Sequence, residues 1–235
     1  MLKKNRGKMK FDLHSHTIYS KHFFWGFDAL NTPKEMVKAA IKKGLNGLAI
    51  TDHNTVKGSL VAKKIAKRYK NFIVITGCEI KTKSGEIIGL GIKENIPILL
   101  SLEETIEKIH DLGGIAVAPH PFGKYFFRKC VEDNAVKADA IEIFNSTVTK
   151  SANEKALILA KKFKKSVTAG SDAHSVKEVG NAGIICESNP LEDIIKNKVK
   201  IFGKKTSLIN TTYLISRKFI RSIEWRLSKT RDKYT

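Results

Sequence analysis

The sequence contains few cysteines and no long apolar run. Its three cysteines, Cys78, Cys130 and Cys186, are far apart, odd in number and without CxxC spacing. This argues against both a disulfide framework and a thiolate zinc site. No apolar run reaches about 18 residues, the length typical of a membrane-spanning helix. The charged start MLKKNRGKMK is not followed by an apolar stretch, unlike a secretory signal. We therefore expect a protein of the reducing cytoplasm, without a membrane span.

Acidic residues are also scarce. The chain has 23 acidic residues against 43 lysines and arginines, which gives a net charge of +20. Basic proteins often bind phosphate-rich partners. However, many of these lysines fall on predicted helix faces such as AKKIAKRYKN and LILAKKFKKS, where they are interpreted as a solvated surface. The charge therefore favours a phosphorylated ligand and leaves nucleic acid as an alternative.

The order of apolar patterns favours one parallel α/β domain. A chain of 235 residues with 42% hydrophobic content can bury the core of one barrel-sized domain, and strand-like runs alternate with helical patterns along it. The predicted strands are 10–13, 47–51, 72–78, 115–118, 140–144, 167–169 and 182–186, with an added hairpin strand in GEIIGLGI. The predicted helices are 33–43, 59–69, 102–112 and 153–164. Seven strands with intervening helices predict a (β/α)7 barrel, one unit short of the TIM barrel.

The stretch FDLHSHTIYSKH places three histidines within residues 11–22. His14 and His16 are two positions apart at the end of a predicted strand, so on extended backbone their rings project from the same side. A strand can present two ligands to one metal ion in this way. His22 lies in the loop that follows.

Other candidate ligands also follow predicted strands. The further histidines are His53 after LNGLAIT, His120 after GGIAVAP and His174 after KKSVTAG. The acidic residues in such positions are Glu79, Glu142 and Asp172. In TIM-like barrels the chemistry lies at the C-terminal ends of the strands, so we expect these side chains to converge. His110 lies within a helical pattern and is interpreted as a helix-surface residue.

Five short motifs together resemble those of one known family. In chain order they are DLHSHT, ITDHNT, GCEI, APHPF and GSDAHS. They are similar to the motifs of the PHP family, named for polymerase and histidinol phosphatase, and cover about residues 11–186. The resemblance implies a distorted seven-stranded TIM-like barrel with two or three divalent metal ions. It also implies a metal-dependent phosphoesterase.

The resemblance implies a set of metal ligands. The first ion would take His14, His16 and Asp172, with Glu79 as a bridge to a second ion that adds His120. A third ion, as in trinuclear relatives, would take His22, His53 and His174. Many relatives have an aspartate about six positions after the HxH pair, where this chain has His22. The residues expected to act in catalysis through the metal ions are His14, His16, Glu79, His120, Asp172 and His174.

The chain departs from the trinuclear relatives in one hairpin. They place a further histidine on the second metal ion there, where this chain has Glu86 in SGEIIG. Glu86 is therefore a candidate ligand, and an exposed turn glutamate is an equally good interpretation. We expect Glu142 to be a supporting or core residue, and Asp12 and Asp52 to orient the neighbouring histidines.

Imidazole and carboxylate ligands without thiolate fit Zn, Mn or Fe. Clustered metal ions lower the pKa of a bridging water and neutralise the charge on a phosphoryl group. The expected reaction is hydrolysis of a phosphate ester by a metal-bridging hydroxide, with a small phosphorylated metabolite or a nucleotide as substrate. Lys124 and Arg128 in PFGKYFFRK are candidates to hold the phosphate, with a surface position as the alternative. The other functions considered are a nuclease acting on RNA or DNA ends and a non-catalytic nucleic-acid-binding barrel of the ribonuclease P subunit type.

The end of the chain differs in character from the rest. TTYLISRKFIRSIEWRL has apolar residues near helical spacing, with basic residues between them at Arg217, Lys218, Arg221 and Arg226. An apolar stripe of this kind favours a terminal helix docked on the body, and an RNA-, membrane- or partner-binding helix is the alternative. The sequence therefore predicts a barrel domain over residues 1–205 and a basic C-terminal helix over residues 206–235.

Overall fold

The protein is seen in a computed structural model that describes residues 7–21, 28–124 and 129–231. Its strands are β1 (Met9–Asp12), β2 (Gly47–Ile50), β3 (Ile73–Lys81), β4 (Glu86–Leu90), β5 (Ile115–Ala118), β6 (Ala140–Asn145), β7 (Ser166–Gly170), β8 (Ala182–Cys186) and β9 (Lys200–Gly203). Its α-helices are α1 (Pro33–Lys42), α2 (Lys57–Ala66), α3 (Leu102–Asp111), α4 (Lys150–Lys162), α5 (Pro190–Ile195) and α6 (Leu208–Arg231). A short 3₁₀ helix covers Glu132–Lys137. The boundary predicted after residue 205 falls between β9 and α6.

The strands form one sheet in the order β7-β6-β5-β4-β3-β2-β1-β8-β9. The predicted count of seven strands was wrong, because this sheet has nine. The hairpin strand predicted in GEIIGLGI is β4, which pairs antiparallel with both β3 and β5. β9 was not predicted, since its four residues KIFG are too few to show a clear period. The sheet is therefore mixed, with β8 antiparallel to both β1 and β9.

Hydrogen bonds join the chain after β1 to the chain after β7, and so nearly close the sheet into a barrel. Ser15 and Ala173 form an isolated parallel bridge. The backbone N–H of His16 donates to the carbonyl of Ala173 at 2.8 Å, and that of Asp172 donates to the carbonyl of His14 at 2.9 Å. These bonds bring the residues that follow the first strand beside those that follow the seventh.

Alternate residues on the strands divide the core into an inner and an outer part. Ala49 on β2 and Val117 on β5 belong to one buried cluster with Phe11, while Leu48 on β2 packs with helices α1 and α2. Ala116 on β5 packs instead with the cluster around α3 and α4. This alternation follows from the period of two along a strand. Because side chains are buried on both faces of the sheet, the strands cannot shift by one residue. This fixes the positions of the strand ends that carry the candidate ligands.

Helix α1 begins after the capping residue Thr32. The Thr32 side chain accepts a hydrogen bond from the backbone N–H of Glu35, and the Glu35 carboxylate accepts one from the backbone of Thr32. Pro33 occupies the first turn, where its missing N–H costs nothing. This reciprocal cap fixes the start of α1 a few residues after Asp28.

Helix α6 docks on the body through polar contacts. Lys218 Nζ lies 2.8 Å from Asp28 Oδ1, and Arg221 Nη1 donates to the carbonyl of Leu30 at 3.1 Å. Several large apolar side chains of α6 remain exposed, among them Leu208 at 84% and Ile215 at 63%. No described helix is long and apolar enough to cross a membrane.

The contact between β1 and β8 predicts a strict requirement for glycine at position 183. An added Cβ at Gly183 would overlap the carbonyl oxygen of Phe11, whereas one at Gly7 would meet nothing within 4 Å. We expect Gly183→Ala to lower the free energy of unfolding by about 1–3 kcal/mol, because strand backbones must move apart. Gly7→Ala is the matched control and should change it by less than about 0.5 kcal/mol. Urea denaturation of both variants measures the difference, and equal stability would contradict the close approach of the strands.

Candidate metal centre

The candidate ligands converge at one end of the barrel. His14 and His16 follow β1, and His53 follows β2. Glu79 lies near the C-terminal end of β3 and Glu86 begins the antiparallel β4, so both lie at the same end of the sheet. The ligands that follow the later strands are His120 after β5, and Asp172 and His174 after β7.

Three of these side chains, His14, His16 and Asp172, form one set of donors, and Glu79 lies beside it. His14 Nε2 lies 3.2 Å from His16 Nε2, 3.3 Å from Glu79 Oε2 and 3.5 Å from Asp172 Oδ1. His16 Nε2 lies 3.3 Å from each of the same two carboxylate oxygens. Tetrahedral ligand atoms about 2.0–2.1 Å from a zinc ion would be about 3.3–3.4 Å apart. In this first cluster, His14, His16 and Asp172 therefore have the spacing of ligands on one tetrahedral ion, and Glu79 Oε2 lies at a similar distance from both histidines.

Hydrogen bonds orient both histidines of the first cluster. Glu142 Oε1 lies 3.0 Å from His14 Nδ1, and Ser20 Oγ lies 2.9 Å from His16 Nδ1. Each partner occupies Nδ1 and leaves Nε2 for the cluster, which is how carboxylates and hydroxyls commonly support metal-binding histidines. Glu142 thus contacts His14 on the side away from the cluster, the position expected of a supporting residue.

Glu79 links the first cluster to two further groups of donors. Its Oε1 lies 3.0 Å from His120 Nε2, and its Oε2 lies 3.3 Å from His53 Nδ1. Glu86 Oε1 is 3.8 Å from the same nitrogen of His53. The structure thus groups His120 with His14 and Glu79, and groups Glu86 with His53 and Glu79. Glu86 faces the donor cluster with an 18% exposed side chain.

A third group contains a residue that the sequence analysis missed. Asp28 Oδ2 lies 2.7 Å from His174 Nε2 and 3.2 Å from His53 Nε2. Together with His16 these three residues form a set of donors close enough to hold one ion. No local motif marks Asp28, because residues 17–27 separate it from the HxH pair in the sequence and its position depends on the fold.

Buried aspartates hold the backbone around the ligands. Asp12 accepts hydrogen bonds from the N–H and hydroxyl of Ser171 at 2.9 and 2.5 Å, and from the N–H of Gly180 at 2.8 Å. Asp52 accepts from the N–H and hydroxyl of Thr17 at 2.5 and 2.8 Å. Both aspartates contact the backbone beside the histidines rather than their rings. Burial raises the pKa of Asp12 to about 6.

Two candidate ligands adopt unusual backbone conformations. The φ angle is +28° at His120 and +52° at Asp172, in the left-handed region that non-glycine residues rarely occupy. The N–H of His120 donates to Glu142 Oε2 at 2.8 Å, and that of Asp172 is held by the carbonyl of His14. Strained conformations of this kind persist where surrounding contacts fix them, and they concentrate at functional sites.

The buried charges shift one another's pKa strongly. Burial alone would raise the pKa of Glu79, but the nearby His14 and His53 hold it well below its usual range. Burial alone would lower the pKa of His14, but the carboxylates of Asp172 and Glu142 raise it well above its usual range. Glu79 therefore stays ionised beside nitrogen donors, and carboxylate with imidazole is a ligand set that Zn, Mn or Fe favours.

Neighbours of Asp172 that the sequence analysis overlooked fix its second oxygen. Thr147 Oγ1 donates to Asp172 Oδ2 at 3.0 Å, and Asn145 Nδ2 lies 3.4 Å from the same oxygen. These contacts leave Oδ1 directed at the first cluster. Asn145 ends β6, so the rule that site residues lie at strand ends would have identified it.

Other candidates lie outside the cluster or outside the described residues. Lys124 Nζ pairs with Glu132 Oε1 at 2.5 Å, and its side chain is 72% exposed. His110 is exposed and lies 2.8 Å from Asp139, consistent with its interpretation as a surface residue. His22 and Arg128 fall outside the described residues.

Two curated relatives cover most of their own length in the match to this chain. A protein of Methanocaldococcus jannaschii described as uncharacterized is 46% identical over 144 residues, which cover 59% of this chain and 82% of the relative. A probable phosphatase of Caldicellulosiruptor bescii is 28% identical over 231 residues, which cover 81% of this chain and 92% of the relative.

Solved structures share the fold at low sequence identity. A two-domain protein of Bacteroides vulgatus, described as containing a predicted PHP-like metal-dependent phosphoesterase, has a TM-score of 0.68 and 14% identity. The match covers 86% of this chain and 66% of that one. A lesion-specific endonuclease of Pyrococcus furiosus has a TM-score of 0.57 and 19% identity, with 83% and 58% covered. At these identities the likeness extends to the fold alone.

The family model described as PHP domain matches residues 12–210, which include every described candidate ligand. The resemblance drawn from the five sequence motifs is thereby confirmed. The chain belongs to the PHP domain family.

Proposed function

We propose that this protein is a metal-dependent phosphoric ester hydrolase whose substrate is a small phosphorylated metabolite or a nucleotide. The observation that carries the proposal is the first cluster, where His14, His16 and Asp172 form one buried set of donors and Glu79 Oε2 lies 3.3 Å from both histidine nitrogens. Such a cluster of buried polar groups would be costly without an ion to share. The probable phosphatase among the relatives supports the reaction class.

We propose two to three divalent ions per chain, of Zn, Mn or Fe. The proposed ligands are His14, His16, His22, His53, Glu79, Glu86, His120, Asp172 and His174, with Asp28 added from the structure. Bound divalent ions supply an activated water and neutralise charge on the phosphoryl oxygens. The residues proposed to act in catalysis remain His14, His16, Glu79, His120, Asp172 and His174.

The chain's own residues would position the reactants. Glu142 and Ser20 fix the ring orientations of His14 and His16 through hydrogen bonds of 3.0 and 2.9 Å. Preorganised donors of this kind cost no reorganisation during the reaction. Lys124 lines a cleft of about 420 Å³ together with Phe122 and Thr149, and we retain it, with Arg128, as a candidate phosphate contact.

A nuclease is the second candidate function. Helix α6 carries Arg217, Lys218 and Arg221, and Lys218 reaches Asp28 in the donor cluster. A polynucleotide entering the site could therefore contact basic residues beside it. The endonuclease among the structural neighbours makes this alternative worth testing.

Removal of one oxygen donor from the first cluster tests the proposed function. We expect Asp172→Asn to lose at least one bound metal ion and to lower turnover by about 100-fold or more, because the amide cannot supply the anionic oxygen of the carboxylate. Elemental analysis of protein purified without chelator and phosphatase assays measure both effects. Asp111→Asn, at an exposed position on α3, is the matched control. Unchanged metal content and turnover in Asp172→Asn would refute the assignment.

The assignment of Glu86 is tested separately. If Glu86 binds an ion with His53 and Glu79, Glu86→Gln should weaken metal affinity by about 10- to 100-fold, and Glu86→His should restore it because imidazole is also a ligand. Glu94→Gln, at an exposed position, is the matched control. Metal titration and turnover are measured on the same preparations. Wild-type affinity and rate in Glu86→Ala would show that Glu86 does not bind a metal ion.

Salt dependence distinguishes small substrates from polynucleotides. We expect a small phosphoester to be hydrolysed with weak salt dependence, because few counterions are released when it binds. A bound single strand would give a log–log slope of about −0.7 for each phosphate contacted. Joint replacement of Arg217 and Arg226 by alanine should leave turnover of the small substrate unchanged. Lys218 and Arg221 are kept in this variant because they contact Asp28 and Leu30. Tight oligonucleotide binding with a slope of several units, lost in this variant, would favour the nuclease.

A further inference from the structure

A lysine from the C-terminal helix enters the third group of donors. Lys218 Nζ lies 2.8 Å from Asp28 Oδ1, and the two side chains are only 17% and 7% exposed. Lys218 is thus more enclosed than an ordinary surface lysine, and its partner belongs to the set formed with His16, His53 and His174. An ion pair in such a position is less screened by salt than a surface pair.

The surrounding contacts hold this lysine in place. One turn further along α6, Arg221 donates to the carbonyl of Leu30. One turn before it, the Tyr213 ring lies 3.5 Å from Lys177 Nζ. These contacts attach the helix on both sides of Lys218, so its ammonium group is kept at Asp28.

The third group differs in charge from the first cluster. The first cluster contains the carboxylate of Asp172 beside that of Glu79, and both carboxylates lie 3.3–3.5 Å from the nitrogens of His14 and His16. The third group contains a single carboxylate, Asp28, and Lys218 already neutralises it. A divalent ion bound there would be coordinated by three imidazoles and by a carboxylate that is also paired with an ammonium group. Like charges on either side of one carboxylate repel each other.

We propose that Lys218 is a built-in cation of the metal centre that competes with a divalent ion for Asp28. This inference rests on the proposed function, which supplies the metal ions. It follows that the chain holds two divalent ions firmly and holds a third, at His16, Asp28, His53 and His174, only weakly. Lys218 therefore determines how many ions the centre contains. When the third ion is absent, the ammonium group of Lys218 supplies the positive charge at that position.

The test is a count of metal ions at defined free concentration. Full-length protein is stripped with chelator and titrated with Mn²⁺ against a competing indicator. We expect the wild type to bind two ions tightly and a third at least tenfold more weakly. Lys218→Met removes the charge and keeps an apolar stem, so the third ion should bind at least tenfold more tightly. Lys218→Arg keeps the charge and should behave as the wild type.

Two controls make the result specific. Lys161→Met removes an exposed lysine of α4, outside the contacts that hold Lys218, and should leave the count and the affinities unchanged. Asp28→Asn in the Lys218→Met background should abolish the gain at the third site. Retention of the two tight ions in every variant reports that the barrel is folded.

Other outcomes would overturn the inference. Third-site affinity that is unchanged or weaker in Lys218→Met would show that Lys218 does not compete, and a weaker third ion would instead make it a positioning residue for Asp28. Three ions of equal affinity in the wild type would also exclude competition. A wild type that binds no Mn²⁺, Zn²⁺ or Fe²⁺ would refute the proposed function itself, which is a distinguishable result.

Discussion

The carboxylate of Glu79 is the contact on which the rest of the centre depends. It is fully buried, and its oxygens lie 3.0 Å from His120 and 3.3 Å from each of His14, His16 and His53. A buried carboxylate without such partners would be strongly unfavourable. Because the four imidazoles come from the ends of β1, β2 and β5, the position of Glu79 on β3 fixes how these strand ends must meet. A shift of β3 by one residue would turn Glu79 to the opposite face of the sheet.

Much of the site could be predicted from local sequence because strand periodicity and histidine placement are local properties. His14 and His16 could be assigned to one side of an extended segment from their spacing alone. Asp28 could not, since its approach to His174 and His53 is a tertiary contact between parts of the chain far apart in sequence. The same holds for Lys218, which reaches Asp28 from a helix that begins after the last strand.

The fold was predicted in part. The strand-and-helix alternation correctly indicated a barrel-like α/β architecture, but the predictions of a parallel sheet and of seven strands were wrong. β4 runs antiparallel between two neighbours, and only the hairpin pattern gave a sign of it. β9 forms because it pairs with β8. This is a tertiary contact, which the sequence of four residues alone cannot predict. The apolar spacing of α6 suggested packing, whereas this helix docks through Lys218 and Arg221.

The position of α6 in the chain has a consequence for synthesis. Every described ligand, from His14 to His174, lies N-terminal to Lys218, as does every strand of the sheet. Domains commonly begin to fold while the ribosome is still elongating the chain. Asp28 and its histidines therefore leave the ribosome before the ammonium group that pairs with Asp28. During that interval Asp28 would lack its lysine partner. The third site would therefore bind a metal ion with one affinity during translation and with another affinity in the finished protein.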